Sequence, residues 1–322
     1  MKGTHSFSVY NKKIRYDVEL KRNITLIAGD SGTGKTSMVN LLRRYRHQST
    51  PIIRLVSDVP VYAVSEEWDE AEKMMTTTHD SIIIIDETAA YLKTEIFASL
   101  VKQSSNYFLI ISRSSLYMLP YSVQEVYQMV GGKNDQQQYF HTLQQLYEVK
   151  PIGSRFIPDA IIVEDSNSGY EFFKSTARSE IQVLSAGGRD NVINTITTFE
   201  KNKRLVIIVD GAACGAAFGD IISSLDACYK LSIIWCYESF EWLLLSADLF
   251  RNSQIEEILK NTSDYVESEA FFSWERYFTD LLSKISVGTG LDYRKSSLNK
   301  KYLEEGIKQK IIKKFPDKLD VV

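Results

Sequence analysis

Short apolar runs bounded by glycine or polar turns recur along the first half of the chain. Phe7–Tyr10, Ile14–Leu20, Ile24–Ala28, Ile52–Val56, Val61–Val64, Ile82–Ile85 and Phe108–Ile111 each have the length and β-branched content of a strand. Helical spacing of apolar positions predicts helices over Lys35–Arg46, Trp68–Met75 and Leu92–Gln103. Strands alternating with helices predict an α/β unit with a parallel sheet. KPIGSRFIP at Lys150–Pro158, with two prolines and a glycine, interrupts the alternation and marks a linker. Beyond it the alternation restarts: strands at Ala160–Val163, Ile181–Leu184, Leu205–Val209 and Ser232–Cys236, with helices at Tyr170–Ala177, Asn191–Glu200 and Phe218–Cys228. After Glu238 the pattern is helical, over Phe240–Phe250, Ser253–Leu259, Glu269–Ile285 and Leu298–Phe315. The expected organisation is a first α/β domain over 1–150, a smaller α/β domain over 159–250 and a helical region over 251–322.

Chemistry enters at the end of the third run. Gly29-Asp30-Ser31-Gly32-Thr33-Gly34-Lys35-Thr36 matches G-x-x-x-x-G-K-[ST] between a strand and a helix, the context that a phosphate-binding P-loop demands. Its glycines let backbone N–H groups turn inward as an anion nest, and the following helix offers its positive end to the same phosphates. Lys35 reaches the outer phosphates and Thr36 offers a hydroxyl to Mg²⁺. The apolar run SIIIIDE ends in Asp86 and Glu87. It reads as a Walker B strand, with Asp86 holding Mg²⁺ and Glu87 polarising the attacking water. Arg113, after Phe108–Ile111, is a candidate γ-phosphate contact. No N-K-x-D segment that reads guanine occurs, so ATP is the expected nucleotide. No LSGGQ-type segment lies between the loop and Asp86, which separates the chain from ATPases that sandwich ATP through such a signature.

In the second half, Ala160–Val163 runs into Glu164 and Leu205–Val209 into Asp210, while Ile181–Leu184 leads to Ser185-Ala186-Gly187-Gly188-Arg189. Parallel strands bring their C-terminal ends to one edge, so Glu164 and Asp210 can meet there. This arrangement, over about residues 159–236, resembles the TOPRIM domain of topoisomerases, primases and the overcoming-lysogenisation-defect nucleases. The resemblance implies that Glu164 acts as general acid/base or metal ligand and that Asp210 holds Mg²⁺. Asp165 stands where that family usually has glycine, and Ala212 stands where it has a second aspartate. Asp165, Asp220, Glu238 and Glu241 are the acids available to replace the missing ligand.

The order ATPase then TOPRIM is similar to that nuclease family and implies an ATP-controlled, metal-dependent cut of DNA or RNA, with a role in defence against phage or foreign DNA. The alternative is an ATP-dependent switch whose degenerate second half binds a partner protein or nucleic acid without cutting. P-loop ATPases without an internal finger often borrow a neighbour's arginine, so a homo-oligomer is also a candidate.

Composition narrows the classes. The chain has 322 residues, a 44% hydrophobic content and a net charge of −3, which suits a folded protein and not one that coats DNA over its whole surface. The basic tail between Asp292 and Lys318 reads either as the solvated face of amphipathic helices, which its interleaved isoleucines favour, or as a nucleic-acid contact. Three cysteines without metal spacing, and no long apolar stretch, point to a cytoplasmic protein with no membrane segment.

Overall fold

The computed structural model describes residues 1–29, 32–48, 52–133, 138–148, 152–229, 231–250 and 253–322, apart from the side chain of Cys228. Asp30 and Ser31 of the glycine loop, and residues 150 and 151 of the expected linker, lie outside the described residues. The protein is of mixed α/β class. It divides into two compact units, one of Met1–Glu148 with Asn261–Ser273, the other of Val149–Lys260 with Trp274–Val322.

The first unit contains strands β1 (His5–Tyr10), β2 (Ile14–Leu20), β3 (Ile24–Ala28), β4 (Arg54–Ser57), β5 (Val61–Ala63), β6 (Ile82–Ile85), β7 (Tyr107–Ile111), β8 (Val126–Lys133) and β9 (Tyr139–Gln145). They form a nine-stranded sheet in the order β4-β1-β2-β9-β8-β3-β7-β6-β5. From β8 to β5 every pairing is parallel, while β1 pairs antiparallel with both β2 and β4, and β8 with β9. The central parallel strands β6 and β7 are apolar without alternation because both faces are covered, and Ile82–Ile85 and Tyr107–Ile111 are wholly buried. Helices α1 (Lys35–His47), α2 (Trp68–Thr77) and α3 (Glu95–Lys102) belong to this unit. Met38, Val39, Leu41 and Leu42 of α1 pack with Val9, Tyr16, Ile27 and Leu109 of the sheet.

Strands β8 and β9 are not among the runs that the sequence pattern marks. Gly131 and Gly132 interrupt β8, and β9 is largely polar and half exposed. Gly131 has a packing reason: a Cβ there would lie 2.6 Å from Nδ1 of His141, its partner across the ladder.

The strap Asn261–Ser273 completes this unit. Gly3 N–H donates to the Ser263 carbonyl, the Ser268 hydroxyl to the Ser105 carbonyl at 2.7 Å, and the Asn23 amide to the Phe272 carbonyl at 3.0 Å. The helix expected from Glu269 therefore starts at Trp274, because the residues before it spend their polar groups on the first unit.

The second unit holds β10 (Ala160–Val163), β11 (Gln182–Ser185), β12 (Leu205–Asp210) and β13 (Ile233–Tyr237) in a four-stranded, all-parallel sheet ordered β11-β10-β12-β13. Its helices are α4 (Ser168–Thr176), α5 (Val192–Ile196), α6 (Gly215–Cys228), α7 (Phe240–Ser246), α8 (Gln254–Lys260), α9 (Trp274–Ser286) and α10 (Glu305–Ile312). The C-terminal helices share one core with this sheet. Phe278 and Leu282 of α9, Tyr302, and Ile311 of α10 are fully buried with Phe172, Phe173 and Phe240. Each such side chain contributes about 1.5–3 kcal/mol of burial, so the tail is structural to the unit. Arg155 and Arg178 both pair with Asp320, tying the unit's first residues to its last.

Candidate functional site

Two groups of sequence-marked residues come together, one in each unit. In the first, the glycine loop leaves β3 and enters α1. Gly29, Gly32 and Gly34 adopt φ of 100°, 85° and 95°. At Gly34 a side chain would also be crowded, since a Cβ there would lie 3.1 Å from both His141 Cε1 and the Tyr16 hydroxyl. It also caps α1. Lys35 is 5% exposed, and its ammonium donates to the Gly29 carbonyl at 2.8 Å and the Thr33 hydroxyl at 3.2 Å. The Thr36 side chain is exposed.

Strand β7 lies between β3 and β6, so the residues after it emerge between the loop and the acidic tip of β6. Arg113 ion-pairs with Glu87 at 2.7 Å. Gly32, Thr33, Gly34, Lys35, Thr36, Ser37, Glu87 and Arg113 line one cleft of about 350 Å³. Asp86 is buried and accepts the Glu87 N–H at 2.8 Å. Burial raises its proton affinity above the usual carboxylate value, against the opposing field of Arg43. Such a carboxylate is one that a nearby cation would re-ionise.

Two aromatic residues that the sequence reading does not single out support this loop. The Tyr16 hydroxyl donates to the Gly34 carbonyl at 3.0 Å, and the His141 ring stacks on Tyr16 with centroids 4.8 Å apart.

In the second unit, β10 and β12 are adjacent, and their ends bring Glu164 and Asp210 together. The Asp210 N–H donates to Glu164 Oε2 at 3.0 Å. Burial, resisted by that hydrogen bond and reinforced by Glu275 and Asp165, pushes Glu164 up to about 7. Asp210 rises well above the carboxylate range through burial and the charge of Glu164. The Tyr237 hydroxyl, at the tip of β13, hydrogen-bonds Asp210, and burial together with that acid raises the phenol as well. The Gly187–Gly188 turn follows β11 on the same edge, where the Gly188 N–H donates to the Glu164 carbonyl at 2.9 Å.

The four acids considered as replacement ligands have other occupations or positions. Asp165 Oδ1 accepts from the N–H groups of Ser166 and Asn167, and Oδ2 from Gly169, so it caps the first turn of α4. Glu241 is buried and accepts from the Tyr293 hydroxyl at 2.7 Å and the Thr279 hydroxyl at 3.0 Å. Glu238 is buried, and its carbonyl accepts the N–H of Ala212. Asp220 is exposed on α6. Ala212 itself is buried.

Lys295 and Glu275, like Tyr237 and Tyr293, belong to this neighbourhood and carry no sequence signal. The first two form an ion pair, and although burial opposes the ammonium charge, the fields of Glu275, Glu241 and Asp210 hold it above the ordinary lysine value. Among the described residues, no three Asp, Glu, His or Cys side chains converge as a metal-binding group. Glu164 and Asp210 form a pair of hard oxygen donors, the number that suits a Mg²⁺ ion completed by water and substrate phosphate.

Among the described residues no helix is long and apolar enough to cross a membrane. Comparison with protein-family models, with curated proteins and with solved structures finds no match.

Proposed function

We propose that this chain binds and hydrolyses ATP in its first unit and that this unit controls a metal-dependent nuclease centre of TOPRIM type in its second. The observation that carries the nucleotide reading is the cleft in which Lys35, Thr36, Glu87 and Arg113 meet around a loop of left-handed glycines. In this reading the loop N–H groups and Lys35 bind phosphate, Thr36 and Asp86 hold Mg²⁺, and Glu87 orients the attacking water. Arg113 is released from Glu87 to meet the γ-phosphate.

At the second centre, Glu164 and Asp210 would hold a divalent ion, which supplies charge neutralisation of a phosphodiester and activation of water. Without an ion Glu164 is pushed up to about 7, so an ion bound there would displace a proton near neutral pH. Cleavage of plasmid and linear DNA in Mg²⁺ or Mn²⁺ tests the assignment. Wild type cuts, whereas Glu164→Ala and Asp210→Ala do not; absence of cleavage, or equal cleavage by both variants, removes the nuclease reading.

A second reading is favoured by Ala212, which is buried where the TOPRIM pattern has an acid, and by the commitment of Glu241 and Asp165 to local hydrogen bonds. The second unit is then a degenerate centre that holds a protein or nucleic-acid partner under ATP control. ATP-dependent partner binding without cleavage separates it from the first.

A further inference from the structure

The glycine loop has a support on its sheet side. Tyr16 is fully buried on β2, takes a hydrogen bond from the Ser37 hydroxyl and gives one to the Gly34 carbonyl. It therefore joins the last loop residue to the first turn of α1. His141 lies beside it in the parallel ladder of β2 and β9, its ring almost parallel to the phenol at 14°. The imidazole is pinched between two glycines: a Cβ at Gly131 would collide with it, and one at Gly34 would lie a tight 3.1 Å from its Cε1.

The imidazole is also an unusual choice for a packing residue. Its Nδ1 is buried with no hydrogen-bond partner among the described residues. A buried unpaired nitrogen is destabilising relative to an apolar ring of the same shape. The contacts that offset it are the stack on Tyr16 and the close approach to Gly34.

We propose that Tyr16 and His141 are positioning residues of the nucleotide site. Together they hold Gly34 in its left-handed conformation, so that the phosphate-facing N–H groups are in place before the nucleotide arrives. This rests on the reading of Gly29–Thr36 as an ATP loop and adds to it the residues that preorganise that loop. A preformed nest binds more tightly because ordering is not required on binding. Tyr16 and His141 touch no phosphate in this scheme; they act through Gly34.

The experiment measures the Kd for Mg²⁺-ATP, the kcat at saturating ATP and the melting temperature without nucleotide. It uses wild type, Lys35→Ala, Tyr16→Phe, His141→Ala and His141→Phe. Tyr16→Phe keeps the ring and loses the hydrogen bond to Gly34, and weakens ATP about fivefold to tenfold, with kcat at saturation retained. His141→Ala removes the stack and weakens ATP by about tenfold. His141→Phe restores the ring and returns the affinity to the wild-type range. Variants that melt earlier yet bind ATP as wild type does give the pair a purely structural role and overturn the proposal. Failure of His141→Phe to restore affinity overturns the brace as a stacking device. Wild type that binds ATP no better than Lys35→Ala overturns the nucleotide reading and the brace with it, whereas normal wild-type binding with unchanged variants overturns the brace alone.

Discussion

The backbone N–H of Asp210 donates a 3.0 Å hydrogen bond to Oε2 of Glu164, so the first and third strands of the small sheet in chain order are tied at their tips by an acid side chain. Both acids sit in a desolvated place, and the charge of Glu164 further resists the ionisation of Asp210.

Glu164 makes the second unit less stable as pH rises. Its folded value of about 7 lies above the ordinary 4.5, so between those values the native state holds more protons than the unfolded chain. Stability is then fully present below the unfolded value, falls as pH rises through the window and is flat above it. Asp210 acts with the same sign. Glu164→Gln keeps an acceptor for the Asp210 N–H and removes the charge, so it stabilises the protein at pH 8 by about 3 kcal/mol and flattens the profile. Urea unfolding at pH 5 and pH 8 reads both effects.

Divalent ions compete with those protons. Mg²⁺ or Mn²⁺ raises the melting temperature more at pH 8 than at pH 5.5, by about 2–4 °C for each kcal/mol of binding. The shift disappears in Asp210→Asn. A shift independent of pH, or unchanged in that variant, places the ion elsewhere.

Gly211 is required by a close approach of strands. A Cβ there would lie 2.8 Å from both Cys236 Sγ and the Tyr237 carbonyl oxygen. Gly211→Ala displaces β13 from β12, costs about 1–3 kcal/mol and moves Tyr237 away from Asp210. Chemical denaturation gives the stability loss, and a changed pH profile of unfolding reports the displaced hydroxyl.

The Glu87–Arg113 pair separates catalysis from folding. The arginine is more than half exposed, and such pairs contribute at most about 1 kcal/mol to stability. Glu87→Gln lowers the turnover of ATP by about a hundredfold or more while retaining affinity, and Arg113→Ala lowers turnover without unfolding the protein. Steady-state phosphate release with parallel melting curves distinguishes these outcomes from a general loss of structure.

The legible parts of the chain are those where local pattern and tertiary position coincide. Strands β6, β7 and β10 are uninterrupted apolar runs because both faces of each are covered, and the acids that follow β6 and β10 and end β12 mark the candidate sites. Strands β8 and β9 escape that reading: Gly131 sits where His141 needs room, and polar positions of β9 face solvent. Contacts of long range leave no local trace. The Tyr16–His141 stack and the Lys295–Glu275 pair each join residues from separate elements. The strap Asn261–Ser273 has helix-compatible residues, and only its hydrogen bonds to the first unit explain why α9 starts at Trp274.

The most direct measurement is the release of inorganic phosphate from Mg²⁺-ATP by wild type and by Lys35→Ala. Wild-type turnover that falls by about a hundredfold or more in Lys35→Ala, with an unchanged melting temperature, is the predicted result. No release by wild type, or equal release by the two proteins, contradicts the assignment of Gly29–Thr36 as a working ATP site.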